Sequence, residues 1–428
     1  MHTGENNDRL VRGSAVFLES LLAGSTVAGF AARFWDGSVR HMGGKGGERF
    51  TLVLNHPGAL RRMFWPPNQL TLGEAFIYGD FDIEGDIVAA FDLADRLFDL
   101  HWGVWERLRH GRFLLSLPLQ TRDDTSRGAR LHGRPHSRRR DGEAVSFHYN
   151  TSNDFFRLWL DERLVYSCAV FADPGGPLDV AQERKLDYVC RKLRLQPGER
   201  LLDIGCGWGS LILHAAEHYG VEALGITVSS QQAELATERI AAAGLADRCR
   251  VELRDYRELE GEGRFDKLAS VGMIEHVGRG KLEAYFRQAW RLLRPGGVFL
   301  NHGIASSRAL PLPPGPSFID RYVFPDGDLP PIDTVIRTAE EERFESRDLE
   351  SLREHYALTL RHWVRRLEAR YDEALHLTDE VTCRIWRLYM AGSAHYFTTG
   401  RLNVYQLLLV KPDGGRSGLP LSRADWYR

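Results

Sequence analysis

The feature that most constrains the fold is a glycine-rich turn between a predicted strand and a predicted helix. In 201-LLDIGCGWG-209 a short apolar strand ends at Asp203, and Gly205, Gly207 and Gly209 follow before a helical stretch. Glycine lets the backbone turn sharply and approach a ligand without a clash from Cβ. Further strands and helices then alternate at 222–226, 229–243, 249–253, 265–271, 281–293 and 298–300. This order predicts an α/β domain with a doubly wound, mostly parallel sheet.

The glycine spacing indicates the kind of ligand. A dinucleotide fingerprint would place its third glycine at position 210, which is serine here, so the pattern is G-x-G-x-G. That form resembles the first motif of Rossmann-like methyltransferases, which bind S-adenosylmethionine. The second strand ends at Thr227 rather than at an acid, so we expect Thr227 and Gln232 to contact the ribose and methionine parts. Asp255 and Tyr256 end the next strand and are expected to flank the adenine. The alternative is a tight turn in an α/β domain that binds no nucleotide.

Composition excludes several classes of protein. The chain has 428 residues, of which 43% are hydrophobic and 27% charged, and its formal net charge is −2. These values argue against a disordered chain and against a dedicated nucleic-acid binder. No apolar run is long enough to predict a membrane-spanning helix, and the first ten residues lack the apolar core of an export signal. Five scattered cysteines without a C-x-x-C pair predict neither a disulfide framework nor a metal site.

A basic segment divides the chain. Residues 121–140 read TRDDTSRGARLHGRPHSRRR and contain seven arginines but only two aspartates. We interpret 119–144 as a flexible basic linker, which is either a solvated tether or a patch that approaches anionic phospholipid headgroups. It would separate a small α+β N-terminal domain (1–118) from a catalytic domain (145–428). Within the latter, a Pro-rich stretch and amphipathic helices predict an insertion at about 306–370.

Ordered motifs along the chain identify a family resemblance. They are HYNTSNDFF (148–156), VYSCAVF (165–171), LLDIGCGWGS, GITVS, RDYREL, SVGMIEHVG (270–278), NHGIAS (301–306) and YVFPDGDLP (322–330). Together they resemble the cyclopropane-fatty-acyl-phospholipid synthases and the mycolic acid cyclopropane synthases. FWPPNQLTLGEAFIYGDFDIEGD resembles the auxiliary N-terminal domain of the phospholipid-modifying branch. The resemblance covers essentially the whole chain. It implies that a methylene group from S-adenosylmethionine is added across a cis double bond of an unsaturated phospholipid acyl chain.

The implied reaction determines what the site must supply. An alkene is a weak nucleophile without a proton to remove, so the rate must come from aligning it with the methyl donor in a dry pocket. Methyl transfer leaves a carbocation that aromatic faces can stabilise. A base is needed only afterwards, to remove a proton so that the ring can close. In the family that the chain resembles, bound bicarbonate is thought to be this base.

The same resemblance implies the residues of the bicarbonate site. The matching positions are Cys168, Glu275, His302, Ile304 and Tyr356. We expect His302 and Tyr356 to hydrogen-bond the anion and Glu275 to pair with His302 and orient its ring. Cys168 and Ile304 would act mainly through backbone groups, and no thiolate is required. Each residue also has a structural alternative: a core cysteine, a structural histidine, an acid at a helix start or a packed tyrosine.

The resemblance also assigns cofactor and acyl-chain contacts. The cofactor contacts are Tyr166, Ser167, Asp203, Gly205, Gly207, Thr227, Gln232 and Asp255. The acyl chain is expected between the sheet and the insertion, and the candidate lining residues are Phe318, Tyr322, Phe324, Trp363 and Tyr396. The sequence departs from the family pattern at Gly303, where threonine is common, and at Asn150, where aspartate is commoner.

The sequence therefore predicts a cytoplasmic enzyme that docks reversibly on the inner membrane surface, with bilayer phospholipid as its partner. The resemblance also implies that the protein forms a homodimer, and no nucleic-acid partner is expected. One alternative is an acyl-chain methyltransferase that leaves a methyl or methylene branch. A nicotinamide-dependent oxidoreductase is disfavoured by Ser210 and Thr227, and a non-catalytic lipid-binding protein is disfavoured by the complete set of site residues.

Overall fold

The computed structural model describes residues 2–22, 29–43, 47–99, 103–119, 127–129, 131–134, 136–149, 151–313 and 315–427. The strands are β1 (Phe30–Arg33), β2 (Val39–Met42), β3 (Phe50–Leu54), β4 (Phe81–Gly85), β5 (Arg200–Ile204), β6 (Glu222–Thr227), β7 (Cys249–Leu253), β8 (Phe265–Val271), β9 (Leu293–Ser306), β10 (Glu345–Ser351) and β11 (Leu402–Val410). The helices are α1 (His2–Leu22), α2 (Ala59–Phe64), α3 (Gln69–Ile77), α4 (Ile87–Asp99), α5 (Val104–Ser116), α6 (Arg138–Tyr149), α7 (Asn153–Trp159), α8 (Leu178–Leu193), α9 (Ser210–Tyr219), α10 (Ser230–Ala242), α11 (Ile274–Val277), α12 (Leu282–Leu292), α13 (Phe318–Tyr322), α14 (Ile332–Glu341), α15 (Arg353–Ala369), α16 (Tyr371–Leu377) and α17 (Glu380–Thr399).

The first of two compact units is built on a small mixed sheet. Its strand order is β2-β1-β3-β4, with β1 and β3 parallel and the outer pairs antiparallel. Burial alternates along β3, as expected for a sheet with one covered face. The rings of Phe30 and Phe50 stack at 5.0 Å on neighbouring strands. The predicted α+β character of the N-terminal part is thereby confirmed.

The first unit also includes two segments from far along the chain. It comprises Met1–Gly128, Pro313–Val323 and Ala374–His395, so its composition differs from the predicted division into 1–118 and 145–428. Phe318 packs on α3 so closely that a Cβ at Gly73 would lie 2.4 Å from its ring. The Tyr322 hydroxyl donates to Glu74 at 2.9 Å. Phe318 and Tyr322, predicted to line the acyl chain, are therefore core residues of this unit.

The second unit contains a seven-stranded sheet of order β10-β11-β9-β8-β5-β6-β7. Strands β5 to β9 are parallel, and β10 and β11 are antiparallel to their neighbours. Both faces are covered by helices and carry large apolar clusters. The predicted doubly wound α/β fold is confirmed. Because the strand order reverses between β5 and β8, a crevice forms at the carboxyl ends of these strands.

The predicted flexible linker is wrong for its final part. Residues 138–149 form α6, and a bidentate ion pair joins Arg140 to Asp326, with Nη2 2.8 Å from Oδ1. Arg138 pairs with Glu258 and Arg139 pairs with Glu143. Residues 120–126, 130 and 135 lie outside the described residues, as does Asn150, so those parts of the prediction stay predictions. In the part of the chain that is described, no helix is long and apolar enough to span a bilayer.

Candidate functional site

A cleft opens at the carboxyl ends of β5, β6, β7 and β8. Both apolar and polar side chains line it, as is usual for a site that binds a small molecule. All eight residues predicted to contact the cofactor line this one cleft: Tyr166, Ser167, Asp203, Gly205, Gly207, Thr227, Gln232 and Asp255. The structure therefore brings together residues from five separate stretches of sequence, although their binding roles stay predictions.

The glycine-rich loop is held in a shape that requires glycine. Gly205, Gly207 and Gly209 have φ values of 79°, 54° and 80°, in the left-handed region that other residues rarely adopt. The backbone N–H groups of Gly205 and Cys206 both donate to the carbonyl of Ile226 at 3.0 Å. This fastens the loop to β6 and leaves its outer side turned toward the cleft.

A fourth glycine, on β6, makes this close approach possible. A Cβ at Gly225 would lie 2.7 Å from the Sγ and 2.8 Å from the Cβ of Cys206. The sequence offered Gly225 only as part of the GITVS motif and gave no local reason for a glycine. Its role depends on the neighbouring strand and could not be found from spacing alone.

Asp203 is the buried acid of the cleft. It is the penultimate residue of β5, and its Oδ1 is buried with no hydrogen-bond partner among the described residues. Burial raises the pKa of this carboxyl to about 7, and the cation of Lys185 opposes that rise. A carboxyl in this position can pair with a cationic amino group that enters the cleft.

Lys185 is a site residue that the sequence reading missed. It lies on α8, is buried, and donates from Nζ to the Ser167 hydroxyl at 3.1 Å. Burial lowers the pKa of its ammonium group to about 8, while Asp161, Cys168 and Asp203 raise it. Gln182, one turn earlier, donates to the carbonyl of Ser167 at 2.9 Å. The sequence contained one signal for this role, since Gln182 and Lys185 are polar residues within the apolar stripe of an amphipathic helix.

The residues expected at the ribose and adenine already have protein partners. The Thr227 hydroxyl donates to Oε1 of Gln232 at 2.8 Å, which fixes the orientation of that amide. Asp255 accepts two side-chain hydrogen bonds from Arg257, whose Nη2 is also 3.0 Å from Asp141. The acid at the end of β7 is therefore neutralised before any ligand binds.

Three of the five residues predicted for the anion site are connected through the backbone of Leu352 and Val404. The carbonyl of Leu352 accepts a hydrogen bond from the N–H of Tyr356 at 3.1 Å and lies 3.7 Å from the Sγ of Cys168. The N–H of Leu352 donates to Val404 at 2.9 Å, and Val404 pairs with Ile304 across the sheet. Cys168, Tyr356 and Ile304 therefore lie in one neighbourhood.

Glu275 follows β8 on the short helix α11 and joins this neighbourhood. Its Oε1 accepts a hydrogen bond from the N–H of Ile304 at 2.7 Å, and its buried Oε2 has no partner in the described chain. Burial raises the pKa of Glu275 to about 7, although hydrogen bonds from its own N–H and that of Ile304 lower it. Near neutral pH both protonation states are therefore populated.

The predicted pair between Glu275 and His302 is wrong. His302 lies inside β9, where successive side chains point to opposite faces. The carboxyl of Glu275 lies at the edge of β9, where its Oε1 accepts from the N–H of Ile304 and a Cβ at Gly303 would lie 3.8 Å from its Oε2. The His302 side chain leaves β9 on the other face from residue 303, and its Nδ1 is 3.2 Å from the amide nitrogen of Gln406 rather than bonded to Glu275.

The environment of His302 determines the charge of its ring and which ring nitrogen carries the hydrogen. Burial, helped by Lys185 and Lys192, lowers its pKa to about 3, so the ring is neutral at physiological pH. Because the Gln406 amide can only donate to Nδ1, the hydrogen is assigned to Nε2. That Nε2 is buried without a hydrogen-bond partner among the described residues. A neutral N–H donor of this kind suits an anion such as bicarbonate.

The structure also shows the surroundings of Ile304, Cys168 and Tyr356. The Ile304 N–H, expected to serve the anion, is donated to Glu275. The Cys168 thiol is fully buried, and burial raises its pKa well above the ordinary value, which agrees with a neutral thiol. The ring of Tyr356 contacts Phe397 at 4.6 Å and meets Trp363 edge-on at 6.0 Å. Trp363 also lies 5.3 Å from the ring of Tyr166, so aromatic rings connect the cleft with the anion neighbourhood.

The family assignment comes from comparison with known proteins. A family model described as mycolic acid cyclopropane synthetase matches residues 136–407. The chain belongs to the mycolic acid cyclopropane synthetase family. A second model, described as a domain of unknown function, matches residues 17–97. The predicted family and the S-adenosylmethionine-dependent methyltransferase fold of the second unit are thereby confirmed.

Individual relatives cover most of the chain. A probable fatty acid methyltransferase from Pseudomonas putida is 41% identical over 400 residues, which is 92% of this chain and 95% of that protein. The cyclopropane-fatty-acyl-phospholipid synthase of Escherichia coli strain K12 is 35% identical and covers 64% of this chain and 69% of its own length. Among solved structures, mycolic acid cyclopropane synthase CmaA1 complexed with SAH and CTAB is 35% identical, with a TM-score of 0.59. That match covers 63% of this chain and 97% of the other.

Proposed function

We propose that this protein transfers a one-carbon unit from S-adenosylmethionine to the cis double bond of an unsaturated phospholipid acyl chain and closes a cyclopropane ring. The observation that carries the proposal is the continuity of residues 166–168. Tyr166 and Ser167 line the cofactor cleft, and the next residue, Cys168, lies beside the neighbourhood of Ile304 and Tyr356. A methyl donor and a late-acting base would therefore be held by adjacent residues.

S-adenosylmethionine supplies an electrophilic methyl group when it is bound. The residues of the chain would exclude water, and the contacting rings of Tyr166, Trp363 and Tyr356 would offer aromatic faces near the reacting carbon. A desolvated aromatic face stabilises a nearby cation by about 1–2 kcal/mol. Such rings assist a reaction that develops positive charge on an acyl chain, whereas methyl transfer to a hydroxyl group would need a base to assist the attack.

Deprotonation is the second requirement of ring closure. We assign His302 and Glu275 to hold bicarbonate, which would supply the base that removes a proton from the newly added methyl group. The Nε2–H of His302 can donate to an anion, and the protonated form of Glu275 can donate from Oε2. A neutral histidine and a carboxyl with a pKa near 7 tolerate an anion where two ionised carboxylates would repel it.

A methyl or methylene branch is a second candidate product. Relatives that match at least 90% of this chain, from Pseudomonas putida and Mycobacterium tuberculosis, are named probable fatty acid methyltransferases. A cyclopropane ring and a methylene branch arise through the same cation and differ in whether a hydride shifts along the acyl chain before the added methyl group loses a proton. A saturated methyl branch would also require a separate hydride donor. The cofactor cleft and aromatic rings serve either outcome.

NMR of the lipid product distinguishes the candidates. The enzyme is incubated with S-adenosylmethionine carrying a ¹³C methyl group and with phosphatidylglycerol vesicles whose acyl chains contain one cis double bond. We expect labelled ring-methylene protons at high field. A labelled alkene methylene or branch methyl signal would replace the cyclopropane claim with the second candidate. Absence of label from the lipid would overturn both.

Site variants connect the reaction to the proposed residues. We expect His302→Ala and Glu275→Gln to lose most lipid labelling while retaining adenosylhomocysteine binding, measured by calorimetry. His218→Ala is a matched control, because His218 is exposed on α9. Full labelling by both site variants would refute the assignment of His302 and Glu275.

A further inference from the structure

Helix α5 of the first unit is anchored along one side only. His110 and Leu114 are buried on that side, and Nε2 of His110 is 3.1 Å from the Ser20 hydroxyl. The ring of Phe17 meets His110 edge-on at 5.3 Å. Beyond the helix end, Arg61 donates to the carbonyl of Leu117 at 2.9 Å. These contacts fix which side of α5 faces water.

The outward side of α5 is apolar, the reverse of an ordinary surface helix. Val104, Trp105, Leu108 and Leu115 are 71%, 83%, 54% and 47% exposed. The helical period of 3.6 residues places these four side chains together, opposite His110 and Leu114. We call this set, with its neighbouring arginines, the α5 face.

A second exposed tryptophan borders this face. Trp65 is 49% exposed and follows α2, which packs against α5. A Cβ at Gly111 would lie 3.6 Å from its ring, so Trp65 lies directly beside the helix. Tryptophan is enriched where a protein meets the interface of a bilayer, because its ring is apolar and its N–H is polar.

The charges of the α5 face are positive. Arg107, Arg109 and Arg112 are exposed, and none of the described carboxylates forms an ion pair with them. The acid of this helix, Glu106, accepts a hydrogen bond from the N–H of Gly103 at 3.0 Å and caps the first turn. By contrast, Arg138, Arg139 and Arg140 of the predicted basic patch are each paired with a carboxylate.

Exposed tryptophan and leucine flanked by unpaired arginines match the chemistry of an anionic membrane surface. The apolar side chains enter the boundary between headgroups and acyl chains, and the guanidinium groups meet phosphates. We propose that the α5 face docks the protein on an anionic phospholipid bilayer. The proposal rests on the proposed function in one respect, since it takes the bilayer to be the place where the substrate lies.

The test is flotation of the full-length protein with phosphatidylglycerol–phosphatidylethanolamine vesicles, without cofactor. We expect the triple variant R107Q/R109Q/R112Q to bind about a hundredfold more weakly at low salt, because each basic residue near the surface adds to the attraction. The control R248Q/R250Q/R337Q makes the same change in net charge on exposed arginines of the second unit and should bind normally. If both triple variants lost the same amount of vesicle binding, the loss would reflect net charge alone and the proposal would be overturned.

The apolar part is tested with W105S/L108S. We expect at least tenfold weaker binding that persists at high salt, where charge contributes less. The control L253S/L421S removes two exposed leucines elsewhere and should not change binding. If W105S/L108S binds vesicles normally, or if it only converts a dimer to a monomer in light scattering, the face does not dock on membranes.

Turnover separates this proposal from the proposed function. With unsaturated phospholipid dispersed in detergent micelles, the α5 variants should transfer methyl groups as the unsubstituted protein does, while turnover on vesicles falls. If no lipid is labelled in either form but vesicle binding still depends on the α5 face, docking stands and the proposed reaction fails. If vesicle turnover is unaffected by the variants, docking through α5 fails and the reaction stands.

Discussion

Lys185 donates a hydrogen bond to the Ser167 hydroxyl at 3.1 Å, and through it helix α8 holds the segment that serves both halves of the site. Gln182 holds the backbone of the same segment through the carbonyls of Val165 and Ser167. The lysine is also the buried cation that faces Asp203. A residue with no counterpart in the sequence motifs is thus central to the arrangement.

Replacing Lys185 by methionine should weaken both stability and cofactor binding. The substitution leaves Asp161 and Asp203 buried without this cation, a loss of about 3 kcal/mol in the free energy of unfolding. It also frees the Ser167 hydroxyl, so adenosylhomocysteine should bind more weakly. Urea unfolding and calorimetry measure the two effects, and Lys185→Arg, which keeps the charge, should be less damaged. Unchanged binding by the methionine variant would show that the contact does not organise the cleft.

Glu275 should make stability depend on pH. Its pKa is raised from 4.5 to about 7. Between these two pH values the carboxyl is therefore protonated in the folded protein and ionised in the unfolded chain. The stability that this protonated group provides is present below about pH 4.5 and is lost as pH rises through 7, by about 3 kcal/mol. Glu275→Gln cannot lose that proton. Its unfolding free energy relative to the unsubstituted protein should therefore increase from pH 5 to pH 8; a constant difference would contradict the buried carboxyl.

Substitutions at Gly303 and Ile274 should have non-additive effects on the free energy of unfolding. A Cβ at Gly303 would lie 2.2 Å from Cγ2 of Ile274, so the isoleucine occupies the space that a larger residue at 303 needs. Gly303→Ala should cost about 1–3 kcal/mol of unfolding free energy through overpacking. In an Ile274→Ala background that cost should shrink, as a double-mutant cycle in urea would reveal. Additive effects would mean that the two positions do not compete for space.

Gly225→Ala should disturb the glycine-rich loop from behind. The added methyl group would press on Cys206, whose N–H anchors the loop to β6. We expect adenosylhomocysteine affinity to fall about tenfold, a cost of about 1.4 kcal/mol. Gly280→Ala is the control, because nothing lies within 4 Å of a Cβ at that position. Equal affinities of the two variants would show that the loop does not depend on β6.

The sequence was most informative where chemistry is local. The loop from Asp203 to Gly209 predicted a strand, a tight turn and a helix, and the structure contains each of them. Six of the eight cofactor candidates, from Asp203 to Asp255, meet in one cleft because they follow or end parallel strands that stop at the same edge of a sheet. Such placement follows from strand order and needs no knowledge of side-chain packing.

Predictions failed where they depended on faces and distant partners. Motif order cannot tell that the carboxyl of Glu275 binds the N–H of Ile304 and not the ring of His302, since this depends on the register of β9. The helix α6 arises from an Arg-rich stretch that lacks apolar periodicity, but Asp326, 186 positions away, binds Arg140 there. Composition alone describes that stretch as solvated.

Because the first unit is discontinuous in sequence, it can be completed only late in translation. Arg384 donates to the carbonyls of Phe76 and Phe81, so these groups receive their partner only when the last third of the chain is being made. At about 5–20 residues per second, roughly 13–50 s separate translation of residue 128 from that of residue 395. For nearly all of that time the nascent N-terminal sheet lacks the Arg384 contacts, and until residue 322 is made it also lacks α13. Chaperones that protect apolar surfaces on the ribosome are therefore expected to determine how much active enzyme a cell obtains.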